Sequence, residues 1–466
     1  MSTQFQSIPY DRLEVGMTAS QSRLCRENDF YVFANASGDM NPLHMPHVDD
    51  DDGSTATAPG MWVASLISAV FGNKLPGPDT LYHSQTLRFL RRVRAGETVT
   101  ATVRLTAKEP GRLARFDTWV DNAAGERIVE GDAAVIAPAQ ARAYAIDDVP
   151  GLTVRRHAHF DDLIDAARPL PPLRTAVVAP EERDALTGPL LAAEHALIEP
   201  VLVGDADKIR AEAAEHGLDV AGLEIVHEPA HRAAAARAVS LAREGAVDAL
   251  MKGHLHTDVF LSEIVRKDAG LRGDRRISHA FVMDVPGLEQ PLMITDAAIN
   301  IAPDLRTKAD IVQNAIDLAL ALRVERPRVG VLAAVETVNP AIPSTLDAAL
   351  LSKMAERGQI KGGVVDGPLA MDNAVDLNAA RTKGIHSTVA GQAQILVAPN
   401  LDAGNMIAKQ LTYLAHAEAA GLVLGCRRPV ILTSRADGPK ARLASCALAV
   451  LANAGADGAQ AVSTQA

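Results

Sequence analysis

The stretch "GMWVASLISAVFGNKLPG", residues 60–77, decides the fold of the first third of the chain. Trp62, Leu66 and Val70 fall on one stripe at helical spacing, with Val63 and Ile67 beside it. Gly72 and then Pro76 stop the helix. After it, "ETVTATVRLTAKE" (97–109) alternates Val99, Ala101, Val103 and Leu105 against threonines and Arg104, the period of a half-buried strand. "RFDTWVDNAAGERIVEGDAAVIA" (115–137) predicts two more strands around a turn at Asn122–Gly125. One apolar helix followed by antiparallel strands predicts a sheet wrapped on a central helix.

Beyond this region the rhythm changes. Proline-rich sequence ending at Pro169, Pro171 and Pro172 breaks helix and sheet alike. A short helix is predicted over 160–168 inside it. Short apolar runs then recur at 174–180, 199–204, 223–228, 247–253, 328–334, 393–399 and 428–434, separated by alanine-rich helical stretches. Strand–helix alternation predicts a mainly parallel sheet covered by helices. Ligands in such folds bind where the strands end at their carboxyl side. "GLVLGC" (421–426) reads as close packing. The expected organisation is multidomain, α+β and then α/β: a first domain over 1–140, a linker over 141–172 and a second domain over 173–460.

The bulk properties narrow the function. The chain has 466 residues, 48% hydrophobic and 22% charged, with a formal net charge of -11. That suits a soluble globular protein and argues against an electrostatic nucleic-acid binder. Cys25, Cys426 and Cys446 lie far apart with no metal-ligand spacing, so no metal site and a reducing cytoplasm are expected. No secretory leader or membrane span is legible. The acidic run Asp49–Asp52 reads as a solvated loop.

Two constellations carry chemistry. In "FANASGDMNPLHMP" (33–46), the Asn41–Pro42 step favours a turn, which can bring Asp39 and His44 toward one point. The pair alone fits an Asx-turn with a surface histidine better than an acid/base site. Together with "APGMWVASLIS" (58–68), however, the segment resembles the MaoC-like (R)-specific enoyl-CoA hydratases, whose hot-dog fold is a central helix wrapped in an antiparallel sheet. The resemblance covers about residues 10–138. It implies that Asp39 and His44 activate a water that adds to a trans-2-enoyl thioester. Gly60, at the helix start, would donate its N–H to the thioester oxygen, and Ser68 would support the site. Pro59 stands where members of that family often carry a histidine.

In the second domain, "KGHLHTD" (252–258), "PNLDAGN" (399–405) and "LTSRAD" (432–437) each follow a predicted strand. They offer glycines, helix N-termini and cations, the means of binding an oxyanion, and could converge at one sheet edge. Neither a Walker A loop nor a GxGxxG is present. With "VDGPLAMDNAV" (365–375), these segments resemble the phosphate acetyl/butyryltransferases over about residues 170–460. The resemblance implies acyl transfer between coenzyme A and phosphate. Ser434 and Arg435 would be catalytic, and Asp437 would support the deprotonation of the thiol. Lys252, His256, Thr257, Asn400, Asp402, Gly404 and Asn405 would line the substrate site. Lys252, His256 and Thr257 look closer to the butyryl branch. Arg266 and Arg276 are candidates for a further phosphate-binding arginine. The expected protein is thus a bifunctional acyl-CoA enzyme, a cytoplasmic homo-oligomer. Acyl-CoA and phosphate would be its substrates, with no tightly bound cofactor and no nucleic-acid or membrane partner. Two alternatives are a hydratase with a degenerate coenzyme A-binding or oligomerising module, and a transferase with an inactive hot-dog module.

Overall fold

The computed structural model describes residues 3–46, 56–146, 152, 154, 157–266, 270–434 and 437–463. Asp49–Asp52 and Arg435 lie outside the described residues. The chain divides into two compact units, Met1–Val154 and Arg155–Ala466. Among the described residues no helix is long and apolar enough to cross a membrane.

The first unit contains β1 (Thr3–Gln6), β2 (Thr18–Leu24), α1 (Glu27–Ser37), α2 (Gly60–Asn73), β3 (Leu81–Gln85), β4 (Arg88–Phe89), β5 (Thr98–Glu109), β6 (Leu113–Asn122), β7 (Arg127–Ile136) and β8 (Ala143–Ile146). Its main sheet is antiparallel in the order β2-β5-β6-β7-β3, with β4 also on β7, while β1 pairs with β8. Helix α2 buries Trp62, Val63, Leu66, Ile67, Val70 and Phe71 against it. Each such side chain contributes about 1.5–3 kcal/mol when fully buried. Phe71 meets Phe116 of β6 edge to face at 5.0 Å. Val99, Ala101, Val103 and Leu105 all point inward from β5, so the period-2 pattern placed the strand correctly. The β6–β7 turn is held by the Asn122 Oδ1, which accepts from the Ala124 and Glu126 amides. This is the hot-dog architecture: an antiparallel sheet around one central helix.

The second unit contains α3 (Ala158–Ala167), β9 (Leu173–Val178), α4 (Arg183–Glu194), β10 (Ile198–Gly204), α5 (Ala206–His216), β11 (Glu224–His227), α6 (His231–Arg243), β12 (Ala249–Lys252), α7 (Thr257–Ile264), β13 (Ser278–Asp284) and β14 (Leu292–Thr295). It continues with α8 (Leu305–Ala321), β15 (Arg328–Leu332), α9 (Pro343–Glu356), β16 (Val364–Leu369), α10 (Met371–Val375), α11 (Leu377–Thr382), β17 (Ile395–Val397), α12 (Leu401–Leu414), β18 (Glu418–Leu424), β19 (Val430–Ile431) and α13 (Pro439–Ser463). One sheet runs β11-β10-β9-β12-β19-β18-β13-β14-β17-β15-β16. Its flanks are parallel. In the middle, β18 is antiparallel to β19 and β13, and β13 is antiparallel to β14. Two parallel blocks of opposite direction therefore meet at β18 and β13.

The segment expected as a linker, 141–172, is shared between the units. β8 belongs to the first, and α3 to the second, where the Asp284 carboxylate at the end of β13 accepts the Phe160 amide. "GLVLGC" is the end of strand β18 and the turn after it rather than packing alone. The packing reading still describes Gly421, because a Cβ there would lie 2.3 Å from the Leu432 carbonyl oxygen.

Candidate active sites

In the first unit, Asn41 caps a single helical turn at Pro42–His44, accepting the Leu43 amide at 3.1 Å. The Asp39 Oδ1 accepts the Asn41 amide at 3.2 Å. The His44 Nδ1 lies 2.8 Å from the Thr57 carbonyl oxygen. A carbonyl only accepts, so Nδ1 carries the proton and the neutral ring keeps its lone pair on Nε2. The Leu43 carbonyl accepts the Thr57 amide, which ties this turn to the segment entering α2. Asp39 and His44 are both half-buried. Gly60 is the first residue of α2, where the N–H has no intrahelical acceptor. The Phe89 ring lies 3.0 Å from where a Gly60 Cβ would stand. Ser68 lies on the exposed stripe of α2 with Met61 and Ser65, turned from the core.

In the second unit, a cavity of about 720 Å³ lies over the antiparallel strands β13 and β18. Thr257, Asp402, Asn405, Ser434 and Asp437 all line it. The three expected segments thus reach one cleft, from the carboxyl ends of β12, β17 and β19. Lys252 lies buried, its Nζ 3.3 Å from both the Gly253 and the Thr433 carbonyl oxygens. Together with the Thr433 hydroxyl donating to the Lys252 carbonyl, this stitches the ends of β12 and β19 together. His256 is exposed at the cap of α7. Asn400 caps α12 by accepting the Ala403 amide. Gly404 lines no part of the cleft but lets α12 approach the loop after β14, since a Cβ there would sit 2.4 Å from the Asp296 carbonyl oxygen. Asn405 donates to the Ala297 carbonyl across the same contact. Arg266 pairs with Glu263 at 3.1 Å, Arg276 is exposed, and neither lines the cleft.

Two residues were not foreseen. Arg442 of α13 is buried and donates to the Asp437 and Ser434 carbonyls and to the Thr433 hydroxyl, clamping the loop after β19. Its signal was a lone arginine in the apolar helix "KARLASCALAVL". Burial holds its pKa below the usual arginine range, with Asp437 opposing. His279 of β13 lines the cleft, fully buried, and burial pushes its pKa down to about 3. Its signal was a histidine inside the apolar run "SHAFVM". The Asp437 carboxyl is pushed up by burial, against the pull of the Ser434 amide 2.6 Å from its Oδ2 and of the charges of Arg442 and Lys252. A carboxyl raised in this way is better matched to moving a proton near neutral pH.

The model of the family described as "Phosphate acetyl/butaryl transferase" matches residues 226–450. The phosphate acetyltransferase of Rhizobium meliloti is 60% identical over 292 residues, which cover 63% of this chain and 92% of the relative. The chain belongs to the phosphate acetyl/butyryltransferase family. Another relative of this transferase is the phosphate butyryltransferase of Clostridium acetobutylicum, 41% identical over 292 residues, 63% of this chain and 97% of that one. A branched-chain phosphotransacylase from Enterococcus faecalis has a similar structure, with 28% identity and a TM-score of 0.51 over 60% of this chain and 98% of its own. The family "MaoC like domain" matches residues 9–127. The chain is therefore an enzyme fusion, with a MaoC-like domain in front of a phosphate acyltransferase domain.

Proposed function

We propose that the second unit transfers an acyl group reversibly between coenzyme A and inorganic phosphate, with acetyl as the leading substrate. The first unit hydrates trans-2-enoyl-CoA to (3R)-hydroxyacyl-CoA. The observation that carries the transferase reading is the cleft over β13 and β18, where Thr257, Asp402, Asn405, Ser434 and Asp437 meet. The 60% identity to a phosphate acetyltransferase, against 41% to a phosphate butyryltransferase, supports acetyl.

In the forward direction a phosphate oxygen attacks the thioester carbonyl. The tetrahedral oxyanion collapses and expels the coenzyme A thiolate. Catalysis here is alignment and stabilisation of the oxyanion. Arg435 binds phosphate, Ser434 hydrogen-bonds the reacting groups, and Asp437 takes the thiol proton in the reverse direction. Lys252 and Arg442 hold the strand end and loop that carry Ser434 and Asp437. In the first unit the His44 Nε2, with Asp39, takes a proton from water as its oxygen bonds to C3. The Asp39–His44 pair then delivers that proton to C2, and the Gly60 N–H donates to the enolate oxygen in between. The same reading takes coenzyme A thioesters and phosphate as substrates, with no tightly bound cofactor, in a cytoplasmic homo-oligomer.

The test is coenzyme A release from acetyl-, propionyl- and butyryl-CoA, with and without phosphate. Phosphate-dependent release fastest with acetyl-CoA is expected. Folded protein that binds coenzyme A but releases none from any of the three would overturn the transferase reading.

A further inference from the structure

Among the described residues, Lys409 is the one lysine or arginine that lines the cleft over β13 and β18. It sits on the face of α12 that also turns Asp402, Asn405 and Tyr413 to the cleft, each three or four residues from the next. Its side chain is exposed and makes no hydrogen bond or ion pair with a described residue. Its own helix offers it no acid, since the positions three and four away are Asn405, Met406, Thr412 and Tyr413. Other lysines of this unit are paired: Lys208 with Glu181, Lys308 with Asp347, Lys383 with Glu336 and Lys440 with Asp161. The acids that line the cleft are Asp402 and Asp437. With those two alone it would repel an anionic ligand. At 1.5 Å per residue, Lys409 stands about 10 Å along the helix axis from Asp402, beyond a Debye length at physiological salt. Its charge is therefore left for a ligand.

We propose that Lys409 is a substrate-binding residue of the transferase, whose ammonium holds a phosphate group in the cleft. The proposal rests on the acyl-transfer reading above. Both substrates of that reaction carry phosphate: inorganic phosphate is one, and coenzyme A bears others at its nucleotide end. A rotatable ammonium on a flexible stem suits either as a point charge. Arg266 and Arg276, the residues expected to supply a further phosphate-binding cation, do not line the cleft, and Lys409 does.

The test uses the full chain and three variants. Lys409→Met keeps an unbranched stem and removes the charge, and Lys409→Arg keeps the charge. Lys361→Met is the control, an exposed lysine that lines no part of the cleft. Phosphate-dependent thiol release is read with acetyl-CoA and with S-acetylpantetheine, which has no phosphate of its own, and the urea midpoint is read at pH 7. Lys409→Met should raise a KM about tenfold or more, as for a lost charge-assisted hydrogen bond, with kcat within about threefold of wild type. A raised KM for phosphate, with either thioester, assigns the ammonium to inorganic phosphate. A raised KM for acetyl-CoA that S-acetylpantetheine does not share assigns it to coenzyme A. Lys409→Arg should stay within about threefold of wild type, since the charge is kept. All three variants should unfold at the wild-type midpoint, because an exposed, unpaired side chain contributes little to stability. KM values for phosphate and for acetyl-CoA that both stay within twofold of wild type in Lys409→Met would overturn the proposal. So would an equal rise in Lys361→Met, or a thioester KM that rises equally with S-acetylpantetheine while the KM for phosphate stays unchanged. A wild type that releases no coenzyme A would refute the acyl-transfer reading instead.

Discussion

Gly404 offers the sharpest link between packing and activity. A Cβ built there lies 2.4 Å from the Asp296 carbonyl oxygen, 3.1 Å from the Ala297 Cα and 3.2 Å from the Ala398 Cβ. Ordinary contact begins near 3.4 Å, so Gly404→Ala must move α12 away from the loop after β14 by about 1 Å. Overpacking of this kind costs about 1–3 kcal/mol. Alanine's better helix propensity returns about 1 kcal/mol. The net loss of stability is therefore small, below roughly 2 kcal/mol. The larger effect falls on the cleft, because Asp402 and Asn405 ride on the first turns of the same helix. A displacement of 1 Å can cost about 100-fold in rate. Phosphate-dependent coenzyme A release reads it, with urea unfolding alongside. Gly222→Ala is the control, since its Cβ would meet nothing within 4 Å. A Gly404→Ala enzyme that keeps more than a third of wild-type kcat/KM would refute the claim that this contact sets the cleft.

The other predictions concern charge and the loop after β19. His279 has a folded pKa of about 3 against an ordinary 6.5, so between those values the unfolded chain binds the extra proton. Its contribution is intact above pH 6.5 and is lost as pH falls toward 3. Wild type should lose about 2 kcal/mol between pH 7 and pH 5 that His279→Phe does not lose. Parallel slopes in urea titrations at the two pH values would contradict this. Arg442→Lys replaces a planar fork that reaches three separate acceptors with a single ammonium point and should cost roughly 2–4 kcal/mol, with a matching fall in phosphate-dependent turnover. A change under 0.5 kcal/mol in the urea midpoint would show that the clamp is unimportant. Asp437→Asn should slow the formation of acetyl-CoA from acetyl phosphate by about 100-fold or more, while the urea transition stays within 1 kcal/mol. Unchanged turnover would remove Asp437 from the chemistry.

Much of this was legible in the sequence, for identifiable reasons. The first unit reads well because α2 and β5 each bury one face, so their periods of 3.6 and 2 appear directly in the residues. The strands β9, β10, β11, β12, β15, β17 and β19 of the second sheet read well because most are short continuous apolar runs. The strands β13, β14, β16 and β18 did not. β18 follows α12 closely and carries Gly421, and β13 carries His279, so neither looks like an ordinary apolar run. Local sequence also cannot show that the sheet reverses direction there, and that reversal is where the cleft lies. The three loops that carry Thr257, Asn405 and Ser434 were found because each follows a strand. Arg442 and His279 were missed because their places come from three-dimensional contacts: a guanidinium reaching back to a loop five to nine residues earlier in the chain, and a buried ring packed over a glycine on the next strand.

The central claim is that one chain holds two separate acyl-CoA sites. The measurement that tests it most directly is a pair of assays on the same preparations: hydration of a short trans-2-enoyl-CoA, and phosphate-dependent coenzyme A release from acetyl-CoA. Both are run on wild type, Asp39→Ala and Arg435→Ala. The expected result is that Asp39→Ala loses hydration and keeps coenzyme A release, while Arg435→Ala does the reverse. Loss of both activities in each variant, with the protein still folded, would contradict the two-site account.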